Sequence, residues 1–191
     1  VVGLRALEAS ELASGGENRY LPVRSHWFDQ IVEVHANQLS QVVNLGAGFD
    51  TRPFRLTLPP SLRWFEIDLP GVFDWKEPTL ADLRAVSTCV RIVVPTDLRG
   101  CWTDPLLWAG FEADQPTLWL AEGLLFYLQT TTVDDLLSDA RQLSGAGSLF
   151  VADLFGSALL RQRRLGRASS VLLGRPGRSL RACGLAGGRS R

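Results

Sequence analysis

The segment TLWLAEG, residues 117–123, constrains the fold more than any other stretch of this chain. It is apolar with almost no alternation, so as a strand it would be buried on both faces, under helices on each side of a sheet. Four further segments read as strands: 41–45, then RWFEID at 63–68, CVRIVV at 89–94 and SLFVADLF at 148–155. Helical patterns separate them. SHWFDQIVEVHANQL, 25–39, sets Trp27, Phe28, Ile31, Val32 and His35 on one stripe. Residues 71–86 and 105–111 also read as helices, the first with Pro78 as a break or first-turn residue. A last helix runs to about Leu143, capped by Thr131 or Thr132. Strands alternating with helices pair in parallel, which predicts an α/β fold with a doubly wound, mostly parallel sheet.

Ligands of such sheets bind outside the carboxyl ends of the strands, at the switch point. A carboxylate falls at every one of those ends: Asp50, then Glu66 and Asp68, then Asp97, Glu122 and Asp153. Helix capping explains each singly and the set less well.

The stretch QVVNLGAGFDTRPFRL, 41–56, carries the glycine turn. A dinucleotide fingerprint needs a third glycine where this chain has Thr51, and Asp50 stands where phosphate would approach. The Lys-Ser/Thr pair of a phosphate loop is missing as well. An acid here suits a ligand bearing cationic or hydroxyl groups, and S-adenosylmethionine offers both. Asp68, closing the second strand, is placed to accept from two ribose hydroxyls. Asp97, closing the third, is placed to accept from the adenine amino group, with the Leu98 N–H free for a ring nitrogen. Asp50 and Arg52 form either a local ion pair that shapes the turn or a ligand contact. An NAD(P) enzyme is the rival reading, and Thr51 argues against it.

Composition narrows the class. No run of about 18 apolar residues is present, which argues against a membrane span. No secretory signal is visible, and the three cysteines, Cys89, Cys101 and Cys183, show no zinc or disulfide spacing. A cytoplasmic protein without a metal site is expected. Residues 1–160 hold all 20 acids and 11 bases, a net of −9, whereas 161–191 hold nine arginines and no acid. That tail lacks the aromatic residues that stack on bases, so nucleic acid is not the expected partner. Its composition fits disorder or an out-of-frame origin, since arginine outnumbers lysine 19 to 1 in the chain.

NLGAGFDTRPFRL, WFEIDLPGV, VPTDLRGCW and LWLAEGLLFYL, in that order, resemble the leucine carboxyl methyltransferase family. The likeness is strongest to its bacterial branch of S-adenosyl-L-methionine-dependent methyltransferases, and VRSHWFD, 23–29, resembles that branch's segment before the first strand. The resemblance covers about residues 20 to 154. It implies a Rossmann-like class I methyltransferase fold with S-adenosylmethionine as cofactor. It implies that Arg24 pairs with the cofactor's methionine carboxylate and that Gly46 lets the backbone approach the methionine moiety. Glu122 would lie near the amino group, with Asp68 on the ribose and Asp97 and Leu98 on adenine. Similar proteins are longer at both ends. Residues 1–24 therefore read as the remnant of a helical cap, 25–156 as the cofactor-binding domain, and 157–191 as an Arg/Gly-rich disordered or aberrant tail. The sheet reads as incomplete at its C-terminal edge. The acceptor would be a small molecule or a carboxyl-bearing partner, methylated on a carboxylate or hydroxyl oxygen. No catalytic base can be read, and LLFYL, 124–128, is expected to wall the acceptor pocket, with Tyr127 packed in the core. A truncated, inactive methyltransferase-like chain is the alternative.

Overall fold

The computed structural model describes residues 20–155 and 168–170. Helix α1, Tyr20–His35, leads into β1, Gln41–Leu45. A short helix α2, Arg52–Arg55, precedes β2, Arg63–Asp68. Helix α3, Pro70–Asp82, crosses to β3, Val90–Pro95, and α4, Thr103–Trp108, to β4, Thr117–Ala121. A 3-10 turn at Leu125–Tyr127 and α5, Thr130–Gln142, lead to β5, Leu149–Phe155, and β6 is Ala168–Ser170.

The strand order is β3-β2-β1-β4-β5-β6. The first five strands run parallel, with Val43 opposite both Phe65 and Trp119. β6 pairs antiparallel with β5. This is the doubly wound α/β sheet that the apolar strands predict. The order reverses between β1 and β4, so the crevice lies beyond Leu45 and Ala121.

Period-2 alternation divides the strand side chains between two cores. Val43, Leu45, Phe65, Ile67 and Trp119 pack with Trp102, Leu106 and Phe111 beneath α4 and with Leu136 and Ala140 of α5. Val42, Trp64, Leu118 and Leu120 pack on the other face with Phe28 and Val32 of α1. Every residue of β1 and β4 is buried, as a sheet covered on both sides requires.

Several element boundaries differ from the sequence pattern. Helix α1 begins five residues early, because Pro22 falls in its first turn, where a missing N–H costs nothing. Helix α3 runs through Pro78. Asp74, whose carbonyl loses its helical partner there, is exposed to water. Helix α5 begins after Gln129 without a side-chain cap, so neither Thr131 nor Thr132 caps it. The exposed Tyr127 does not pack in the core, with four-fifths of its surface open. Cys89 is a free, buried thiol. Of the expected cap remnant 1–24 only residues 20–24 are described, as the start of α1, and of the tail 157–191 only the strand 168–170. Among the described residues no helix is long and apolar enough to cross a membrane, and no cluster of metal-binding side chains occurs.

Candidate functional site

The glycine turn after β1 forms the floor of a cleft at the switch point. Gly46 and Gly48 both have positive φ, +66° and +47°, in the left-handed region that glycine adopts freely. The Gly46 and Ala47 N–H groups donate to the Ile67 carbonyl at 2.8 and 3.0 Å, so the turn folds back over the end of β2. A Cβ on Gly46 would lie 2.9 Å from the Leu124 side chain. Ala47, Gly48, Phe49 and Thr51 continue the rim, and the cleft holds about 310 Å³.

Its walls are ionic. Arg24 on α1 donates from Nε to Glu122 Oε1 at 2.9 Å and from Nη1 to Asp153 Oδ2 at 3.3 Å. Asp153 also accepts from the Tyr20 hydroxyl at 2.9 Å and the Gly123 N–H at 2.6 Å. Gly123 has a φ of +66°, and a Cβ there would meet Arg24 Nη1 at 2.9 Å. Its bare backbone thus lets the guanidinium lie against the end of β4. Burial opposes the charge on Arg24, but Glu122 and Asp153 outweigh it and raise its pKa. Burial, reinforced by the bond to Asp153, pushes the Tyr20 hydroxyl up to about 12.

Arg52 forms the second centre. It is buried and meets Asp29 at 2.7 Å, Asp50 at 3.1 Å and Glu122 at 2.5 Å. Asn44, buried in β1, donates to Asp50 Oδ2 at 2.7 Å, which satisfies the polar residue of an otherwise apolar strand. Asp50 and Arg52 therefore do form a local ion pair, and both line the cleft.

The structure brings Arg24, Gly46 and Glu122 together in the cleft lining. Asp68 lies beside it, with its carboxylate accepting from the Gly48 N–H at 2.7 Å. Asp97 and Leu98 are not among the lining residues. Asp97 is engaged by Arg99, at 2.9 and 3.0 Å from Nε and 2.6 Å from Nη2, while the Leu98 side chain packs in the core. Both stay linked to the site through the Thr96 N–H, which donates to the Asp68 carbonyl at 2.8 Å. Sequence reasoning gave no role to Asp29 or Tyr20, since neither sits in a strand-end motif. It counted Asp153 among the strand-end acids without assigning it a partner. Glu66, counted in the same set, instead points away from the crevice into a buried ion pair with Lys76.

A model of leucine carboxyl methyltransferases matches residues 5–141. This chain belongs to the leucine carboxyl methyltransferase family. A Mycobacterium marinum protein named "Putative S-adenosyl-L-methionine-dependent methyltransferase" is 44% identical over 138 residues, 72% of this chain and 43% of that protein. A Mycobacterium ulcerans protein of the same name is 46% identical over 134 residues, 70% of this chain and 41% of that one. The chain thus spans less than half the length of these curated relatives. The fold is also that of a Thermobifida fusca crystal structure, with a TM-score of 0.54 at 20% identity over 70% of this chain and 52% of the other. The matched residues include Arg24, the glycine turn and Glu122 of the cleft lining, whereas Asp153 lies beyond them.

Proposed function

We propose that this chain carries the cofactor-binding part of an S-adenosyl-L-methionine-dependent methyltransferase acting on an oxygen acceptor. The observation that carries the reading is the pairing of Arg24 and Glu122 at 2.9 Å, above a glycine turn at the switch point. A cation and an anion side by side complement the carboxylate and ammonium of an amino acid, which the cofactor carries at one end. The bare Gly46 backbone leaves room for that end to approach.

When bound, the sulfonium supplies an activated methyl group. The residues of the chain bind and orient. Arg24 takes the carboxylate, and Glu122 takes the ammonium. The Asp68 carboxylate at the end of β2 accepts from the ribose hydroxyls. Asp97 and the Leu98 N–H take adenine once Arg99 releases the Asp97 carboxylate. Methyl transfer depends chiefly on near-attack alignment and exclusion of water. The two carboxylates that line the cleft, Asp50 and Glu122, are both held by arginines, Asp50 by Arg52 and Glu122 by Arg24 and Arg52, which disfavours either as a proton acceptor. That supports an acceptor already ionised, a carboxylate or an acidic hydroxyl, which needs no general base.

Calorimetric titration with S-adenosylhomocysteine, alongside NAD, tests the reading. Binding of the first alone is expected, and a soluble chain that binds neither overturns it. Methyl transfer to a small carboxylic acid, read by product formation, tests the oxygen acceptor separately from cofactor binding.

A further inference from the structure

Arg52 does more than pair with its neighbour Asp50. All three of its guanidinium nitrogens are committed to protein acceptors. Nε donates to Asp29 Oδ1 at 2.7 Å, Nη1 to Asp50 Oδ2 at 3.1 Å, and Nη2 to Glu122 Oε2 at 2.5 Å. Nη2 also reaches the Ser25 carbonyl at 3.4 Å, and the guanidinium lies 5.6 Å from the centre of the Phe28 ring. One buried cation therefore joins α1, the glycine turn and the end of β4. Its side chain is 4% exposed, against 18% for Arg24, so of the two arginines that meet Glu122 it is Arg24 that is the more open to an incoming ligand.

The consequence falls on Glu122. A glutamate has several rotatable bonds and two equivalent oxygens. With Oε2 clamped on Arg52, Oε1 is the oxygen left to face Arg24 Nε at 2.9 Å and the Ser25 hydroxyl at 3.3 Å. Preorganisation of this kind lowers the ordering cost of binding. We propose that Arg52 is a positioning residue for the amino-acid end of the bound nucleoside, acting through Glu122 and not by touching the ligand. The inference rests on the methyltransferase reading above.

Two ligands separate this role from a general structural one. S-adenosylhomocysteine carries the amino-acid end, and 5′-methylthioadenosine is a like nucleoside without it. Affinities for both are measured on the wild type, R52Q, E122Q and the double variant. R52Q is expected to weaken S-adenosylhomocysteine about tenfold, within the range for coupled neighbours, and to leave methylthioadenosine unchanged. In the E122Q background the same change should cost less than about threefold, because its route of action is already gone. Equal losses for both ligands, or losses that multiply independently in the double variant, overturn the proposal. If R52Q does not fold, R52K replaces it in the same cycle, since lysine keeps the charge but not the fork that spans Asp29 and Glu122. A folded wild type that binds neither nucleoside overturns the methyltransferase reading, and this inference with it.

Discussion

The Asp68 carboxylate accepts a hydrogen bond from the Gly48 N–H at 2.7 Å and so ties the end of β2 to the turn that leaves β1. Its other oxygen accepts from the Leu69 N–H, also at 2.7 Å, at the start of α3. The acid assigned to the ribose is thus also the anchor of the glycine turn. Asp68→Ala should weaken S-adenosylhomocysteine binding by about 1–3 kcal/mol, the range for a lost hydrogen bond to a charged group. Asp68→Asn, which keeps one acceptor oxygen, should fall between. Calorimetry decides, and unchanged affinity in both variants would reduce Asp68 to a turn anchor.

Glu66 shows the opposite case, a strand-end acid with no part in the cleft. It is fully buried and accepts from Lys76 Nζ at 2.8 Å and Arg91 Nη2 at 2.7 Å. Removing it leaves Lys76 charged and unpaired in the interior. Glu66→Ala should cost about 3–5 kcal/mol in urea denaturation, as for other broken buried pairs. Where the variant remains folded, affinity for S-adenosylhomocysteine should be that of the wild type.

Gly46→Ala combines two penalties. An alanine at φ +66° is strained, and its Cβ would press on Leu124 at 2.9 Å. The expected loss is about 1–3 kcal/mol of stability, the cost of holding a non-glycine residue in the left-handed region. Leu124→Ala in the same chain should relieve the contact and leave the backbone strain, so rescue is partial. Complete rescue would assign the whole cost to crowding.

The strands were legible because each is a short apolar run ended by turn residues, and β1 and β2 span 41–45 and 63–68 in pattern and structure alike. Their burial on both faces followed from the lack of alternation in β4. Helix ends were less legible. Pro78 reads as a break or first-turn residue and the pattern starts α1 only after Pro22, yet both prolines lie inside helices where the lost N–H bond is tolerated, in a first turn and on an exposed face. In the site, strand-end position singled out Asp68 and Glu122 and the glycine turn Gly46, whereas Arg24 came only from the family resemblance. Motif spacing could not show that Arg52 bridges Asp29 and Glu122, contacts 23 and 70 residues apart in sequence. Nor could it show that Arg99 holds Asp97, because the strand-end acids Asp68 and Asp97 look alike until their partners are placed.

Asp29 links the site to acid stability. Burial alone would raise its pKa, but hydrogen bonds from Arg55 and Arg52 outweigh burial and hold it below the usual carboxylate value. A depressed folded pKa contributes stability that is complete above the unfolded value. That contribution disappears as pH falls through the folded one. Urea midpoints should therefore be level near neutrality and decline below about pH 4, where free aspartate titrates. Asp29→Asn should lower the neutral plateau and flatten that decline. An acid limb identical to the wild type's would show that other carboxylates govern it.

Arg99 offers a gain of affinity. It binds both oxygens of Asp97 and its own backbone N–H donates to Asp97 Oδ1 at 2.9 Å, so the carboxylate assigned to adenine is already engaged. The side-chain pair is solvent-exposed, and such pairs are weak, so a ligand can displace it at small cost. Arg99→Ala removes that competition and keeps the backbone bond that orients Asp97. S-adenosylhomocysteine should then bind more tightly than to the wild type. The gain should shrink in high salt, because the wild-type pair is itself screened there. Weaker binding by Arg99→Ala would instead make Arg99 a ligand contact, and would remove Asp97 from the adenine site.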